Sequence, residues 1–151
     1  MNKIEFKDLP DTTTPLNATN LNTLQDNVET AINGILESGS NANGSYIKFS
    51  DGTMVCYSTQ LFSNVNCSTA WGNIYSNSND KRNFNNFPVS FVDEPIVTMR
   101  LATGNADGWI MSANINGGPS TTNPGGWQMC RATSNSSCNI YVSYIAIGKW
   151  K

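Results

Sequence analysis

The sequence predicts a mainly β protein: an N-terminal coiled-coil helix followed by an antiparallel six-stranded β-sandwich. Three observations carry this reading. The last twelve residues, Ile140 to Lys151 (IYVSYIAIGKWK), are proline-free and rich in aromatic and β-branched side chains. Such a run reads as a strand, and it is too apolar for a chain end left outside a sheet. Upstream, further short apolar runs are separated by Gly, Asn, Asp and Ser turns and not by helical patterns. Only one segment, near the N-terminus, repeats its apolar residues at heptad spacing.

Composition narrows the function classes. Charged residues make up 13% of the chain, about half the usual globular share, and Asn, Ser, Thr and Gly fill the gap. Four Trp, five Tyr and six Phe exclude disorder of the charged kind. This mix suits a surface that hydrogen-bonds neutral polar ligands. The net charge of −2, without a basic stripe, argues against a nucleic-acid partner. No run approaches the ~18 apolar residues of a membrane span. The opening MNKIEFKDLP has no apolar signal-peptide core, so no secretory route is expected.

The chain has no histidine, which removes Ser-His-Asp and Cys-His catalysis and most transition-metal sites. No cofactor and no metal are expected. Cys56, Cys67, Cys130 and Cys138 form no C-x-x-C pair. Free thiols are the expectation without a secretory signal, with two disulfides as the alternative.

Residues 1–16 read as an extended N-terminal arm, restricted by Pro10 and Pro15, or as an unstructured lead. Residues 17–38 read as a stalk helix. Asn17 is its N-cap, and Leu21, Leu24, Val28, Ala31 and Ile35 fall on an a/d seam that Ile32 widens. Two heptads are marginal alone, so the seam must pack on copies of itself or on the β domain. Self-association is favoured because residues 39–45, small and polar, read as a flexible linker.

Residues 46–151 read as the sandwich. Tyr46–Phe49 and Thr53–Tyr57 flank Asp51-Gly52, a hairpin signal. Residues 58–86 read as a long loop with at most one short strand, anchored by Phe62 and Phe84. Phe87–Phe91 and Ile96–Leu101 read as strands, the second opened by Pro95, where a missing N–H is tolerated. Trp109–Ile115 alternate as a further strand, and 117–126 form a Gly- and Pro-rich loop. Trp127–Arg131 and the terminal strand close a last hairpin, in which Cys130 and Cys138 would face each other across a turn at Ser134.

Several of these stretches resemble one family. FKDLPDTTTPLNATNLNTLQDNV resembles the start of tail proteins from phages and prophages of Gram-positive bacteria. NGSYIKFSDGTMVCY, FPVSFVDEPIVTMRL and the terminal YIAIGKWK resemble the C-terminal domain of phage tail fibres, which is also similar to the H-type lectin fold. The resemblance rests on framework residues: Phe87, Phe91, Pro95 and the Ala146-Ile147-Gly148 ending. It implies a homotrimeric receptor-binding protein in the virion tail. Such a protein would attach to a host cell-wall or surface polysaccharide and join the rest of the tail through its N-terminus. No sugar-contacting signature transfers to a position here.

The expected function is therefore non-catalytic attachment to a glycan. A purely structural trimeric tail component is the alternative. A polysaccharide-degrading enzyme is less favoured, because Asp93 and Glu94 are adjacent and would face opposite ways along a strand. Composition places the ligand site on the loops at 63–86 and 116–127. There Trp71, Tyr75 and Trp127 would stack on sugar rings, while Asn73, Asn77, Asp80 and Asn123 bind hydroxyls. The bland reading keeps these aromatics as packing residues and the Asn as turn formers.

Overall fold

The organising strand is the last one, β10, and it has the pattern expected of a strand covered on one side. The computed structural model describes residues 18–104, 107–112 and 117–151. The predicted arm 1–16 and the Asn17 cap lie outside these residues. In chain order the elements are α1 (Ala18–Asn33), β1 (Ile35–Asn41), β2 (Gly44–Phe49), β3 (Thr53–Cys67) and β4 (Thr69–Trp71). There follow β5 (Ile74–Ser76), β6 (Arg82–Asn83), β7 (Ile96–Gly104), β8 (Trp109–Ser112), β9 (Gly126–Arg131) and β10 (Asn135–Lys149). One sheet runs β1-β2-β3-β10-β7, and the other runs β4-β5-β9-β6 with β8 also paired to β9. The described chain thus holds ten strands in two sheets, and not the six of the sequence reading.

The core lies between the sheets. Along β10, Ile140, Val142, Tyr144 and Ala146 are buried while Tyr141, Ile145 and Ile147 are exposed, the period-2 alternation of a strand. The buried row meets Met54, Cys56, Phe62 and Val65 of β3 and Trp127 and Met129 of β9. Four rings meet edge to face along this seam: Phe62 with Phe84 and Trp127, and Tyr144 with Phe84. That geometry is the favoured one for aromatic quadrupoles. Gly148 explains its place in the framework ending: a Cβ there would sit 2.8 Å from the Phe91 ring and 3.0 Å from Pro95.

Several sequence expectations need correction. The helix stops at Asn33, because Gly34 adopts φ +52°, the left-handed cap only glycine takes without cost. Ile35 therefore leaves the helix seam. The segment 39–45 is no linker: Ile35–Asn41 pairs antiparallel with β2 across a two-residue turn, in which Asn43 N–H donates to Asn41 Oδ1 at 2.9 Å. Glu37 fastens this hairpin by accepting from Tyr46 Oη and from Lys48 Nζ, the latter at 2.8 Å.

The long loop expected over 58–86 is mostly strand. β3 continues to Cys67 through a bulge at Asn64, whose φ is +55°. Phe62 opposes Ile140 and Val65 opposes Cys138, so the bulge adds one residue to β3 and both side chains point inward. That parity switch is what disguises the strand. Phe87–Phe91, conversely, is not a strand. Both rings anchor the core, and the backbone N–H groups of Phe87 and Phe91 donate to Thr122 and Thr121 carbonyls, each at 2.8 Å.

No terminal hairpin forms. β9 pairs with β5, β6 and β8 in one sheet, and β10 lies between β3 and β7 in the other. Residues 132–134 cross between sheets, so Cys130 opposes Ser76 and Trp109, and not Cys138. Within the described residues the Trp109 strand runs to Ser112, and its predicted remainder falls outside them.

Candidate functional site

Trp71 sits at the tip of the β4–β5 hairpin and is 59% exposed. The turn is two residues, Gly72-Asn73, with Gly72 at φ +61°, the glycine-first pattern of a II′ turn. This tight turn thrusts the indole out of the sheet. Beside it lies a shallow cleft of about 280 Å³ lined by Ala70, Trp71, Ser76, Ser78, Met111 and Gln128. The lining is uncharged: an indole face and a thioether next to two hydroxyls and an amide.

The base of the hairpin is held rigidly. Asn77, 1% exposed, accepts from Met129 N–H at 2.9 Å and donates from Nδ2 to Asp80 O at 3.1 Å. Asp80 is clamped by Arg82, with Nε at 2.7 Å and Nη2 at 2.9 Å, and accepts Asn66 N–H at 2.7 Å. The Arg82 guanidinium holds the Asp80 carboxyl below its usual range, and Asp80 in turn raises Arg82. Since the folded pKa is lowered, this stabilisation is present above the unfolded value of ~3.9 and fades as pH falls through the folded one. Asp80→Asn should therefore lower the urea midpoint at pH 7, and the gap to the parent should close in acid. A gap that persists unchanged at pH 2 would mean that the ion pair contributes nothing.

The seven sequence-predicted ligand residues separate accordingly. Trp71, Asn73 and Tyr75 share the accessible hairpin. Trp127 is 1% exposed and packs edge-on to Phe62, so it presents no face to solvent. Asn77 and Asp80 are committed to the hairpin base as described. Asn123 is a turn-former: Nδ2 donates to Phe84 O at 3.0 Å, and Oδ1 accepts Gly125 N–H at 2.7 Å. Sequence reasoning missed Met111, Gln128, Ser76 and Ser78, since β8, β9 and the hairpin meet only through sheet pairing.

A larger concavity of about 700 Å³ lies on the outward face of the first sheet, bordered by Gly44, Tyr57, Thr59, Arg100, Ser143 and Ile145. It adjoins a row of four apolar residues, one from each of four adjacent strands: Ile47, Val55, Ile147 and Ile96. Tyr57 and Ile145 form an apolar pair in the next row. On α1, Leu21, Leu24 and Val28 are each about half exposed, so neither sheet covers the helix seam. The seam residue Ala31 lies beyond the side chains described.

No family model and no curated protein matches the chain. Among solved structures it is similar to an N-truncated R1-type pyocin tail fibre, at 16% identity and a TM-score of 0.41, over 82% of this chain and 94% of that one. It is also similar to a C-terminal fragment of the R1 pyocin fibre of P. aeruginosa, at 14% identity and a TM-score of 0.38, over 96% of this chain and 41% of that one.

Proposed function

We propose that this chain is a tail-fibre receptor-binding protein of a phage or prophage: a homotrimer that attaches a virion tail to a host surface polysaccharide without cleaving it. The observation that carries the binding reading is Trp71, an indole projected by a tight turn beside an uncharged cleft. Sugar rings present C–H faces that stack on an indole, and hydroxyls that pair with the partly exposed Ser78 at the cleft edge. The assembly reading rests on the uncovered seam of α1 and on the outward apolar row of the first sheet. The number three and the tail location rest on the sequence resemblance.

Three weak sites on one rigid assembly bind together, so a modest loss per site is multiplied at a cell surface. Trp71→Ala should cost roughly tenfold per site, about 1.4 kcal/mol, and far more in cell binding. The test is binding of purified protein to intact candidate host cells and to their extracted wall polysaccharide. Retained binding by a folded Trp71→Ala protein would place the site elsewhere. The polysaccharide should keep its length during incubation. Shortening would favour an enzyme, and absence of binding to every surface tried would favour the purely structural component.

A further inference from the structure

The core holds a group of reactive side chains that neither the attachment site nor the assembly surfaces use. Cys67 ends β3 and Cys138 lies near the start of β10; both are fully buried. Val65 opposes Cys138 and Asn135 opposes Cys67, with a register shift between the two pairs. Val65 and Cys67, two apart on one strand, point to the same inward face, so the two thiols are diagonal neighbours. The Cys138 thiol lies close enough to add to burial in raising the Cys67 thiol. Arg131, itself almost wholly buried, donates from Nη1 to Cys138 Sγ at 3.1 Å. Its Nη2 reaches Thr133 Oγ1 at 3.3 Å, and its Nε is buried without a partner. Cys138 Sγ also points at the Asn135 carbonyl, 3.9 Å away. The other two cysteines are engaged elsewhere: Cys56 with Val89 O and Cys130 with Met111 Sδ.

We infer that Cys67 and Cys138 are a modification site: an oxidisable pair that closes to a disulfide, with hydrogen peroxide as the oxidant. A small neutral oxidant suits a buried site that a bulky disulfide reagent could not enter. Cys138 sulfur attacks one peroxide oxygen, the O–O bond breaks, and the departing hydroxide leaves as water with the Cys138 proton. Cys138 is then a sulfenic acid. Cys67 sulfur next attacks Cys138 sulfur, the S–S bond forms, the S–O bond breaks, and the hydroxide leaves as water with the Cys67 proton. Two thiols and one peroxide give one disulfide and two waters. Arg131 Nη1, 3.1 Å from Cys138 Sγ, is the cation nearest the hydroxide that departs when this sulfur attacks, and it assigns Cys138 as the first sulfur. Burial, with the Cys138 thiol beside it, pushes the Cys67 thiol up to about 12. The bond would close a loop of roughly seventy residues and tie the end of β3 to the start of β10. This inference does not depend on the attachment reading.

The test uses the full chain and the double variant Cys56→Ser/Cys130→Ser, which leaves the pair alone. After hydrogen peroxide, both proteins should be about 2 Da lighter and yield a peptide linking residues 67 and 138. The thermal midpoint should rise by ~5 °C or more and fall back on reduction. In Cys67→Ser, dimedone added with denaturant after peroxide is removed should label Cys138, whereas in Cys138→Ser it should not label Cys67. The idea is overturned if peroxide gives no 67–138 link in the full chain, or only higher oxygenated forms of separate cysteines. It is equally overturned if the link forms only after denaturation. Because the linked peptide is read in the unmodified chain, a variant that fails to fold leaves the test intact.

Discussion

Trp127→Ala is expected to cost about 3–5 kcal/mol of stability and to lower the thermal midpoint by ~10 °C or more. Trp127 is among the largest fully buried side chains and lies 5.0 Å from the Phe62 ring, edge to face. Its neighbours are strand residues fixed by two sheets, so the cavity has little freedom to collapse. Chemical denaturation measures the loss. Trp71→Ala, which removes an exposed ring, should move the same midpoint by no more than ~0.5 kcal/mol. The contrast separates the two tryptophans that look alike in sequence. A Trp127→Ala protein as stable as its parent would show that the two sheets do not close on this residue.

What could be read from sequence was governed by whether local pattern survives. β10 was legible from Ile140 onward because nothing interrupts its alternation from there to Ile147. Pro95 was legible too: β7 begins at the next residue, Ile96. β3 was legible only as far as Tyr57; farther on, the extra residue at Asn64 turns both Phe62 and Val65 inward and breaks the period-2 count. β1 was hidden for another reason. Ile35 continues the heptad spacing of α1, and only the Asn33-Gly34 pair signals that the helix ends first.

The site follows the same logic. Trp71 was legible as an aromatic in a turn-rich stretch. Asn77 carried the same composition signal, yet its amide bonds Met129, fifty-two residues away, a pairing no local pattern reveals. Cys130 and Cys138 looked like a hairpin pair because symmetry about Ser134 is the simplest register. The chain instead changes sheets there, since β9 carries an unbroken buried pattern and belongs in the interior of the second sheet. In each case the missing information is which distant strand lies alongside.

Ile147→Lys is expected to turn the proposed homotrimer into a folded monomer. Ile147 lies at the centre of the outward row, with Val55 opposite on one side and Ile96 on the other. Its side chain is about half exposed in the single chain, so a lysine there costs the isolated fold little. Antiparallel sheets can leave one face to solvent, but that face is then usually polar, whereas the row through Ile147 is apolar. The occupant we assign is a second copy, because α1 of the same chain leaves its own seam uncovered and both surfaces would be satisfied by one symmetric association. Burying the exposed half of one isoleucine contributes ~0.75–1.5 kcal/mol, and a trimer loses that three times over. Dissociation should therefore become easier by about fiftyfold or more, before any penalty for three converging ammonium groups. Light scattering at micromolar concentration reads the outcome, with circular dichroism reporting that the strands persist. Leu24→Lys on the seam should weaken assembly through the helix alone, leaving contacts through the sheet. Should the parent chain itself scatter as a monomer, or Ile147→Lys remain trimeric, the outward face of the first sheet is not where copies meet.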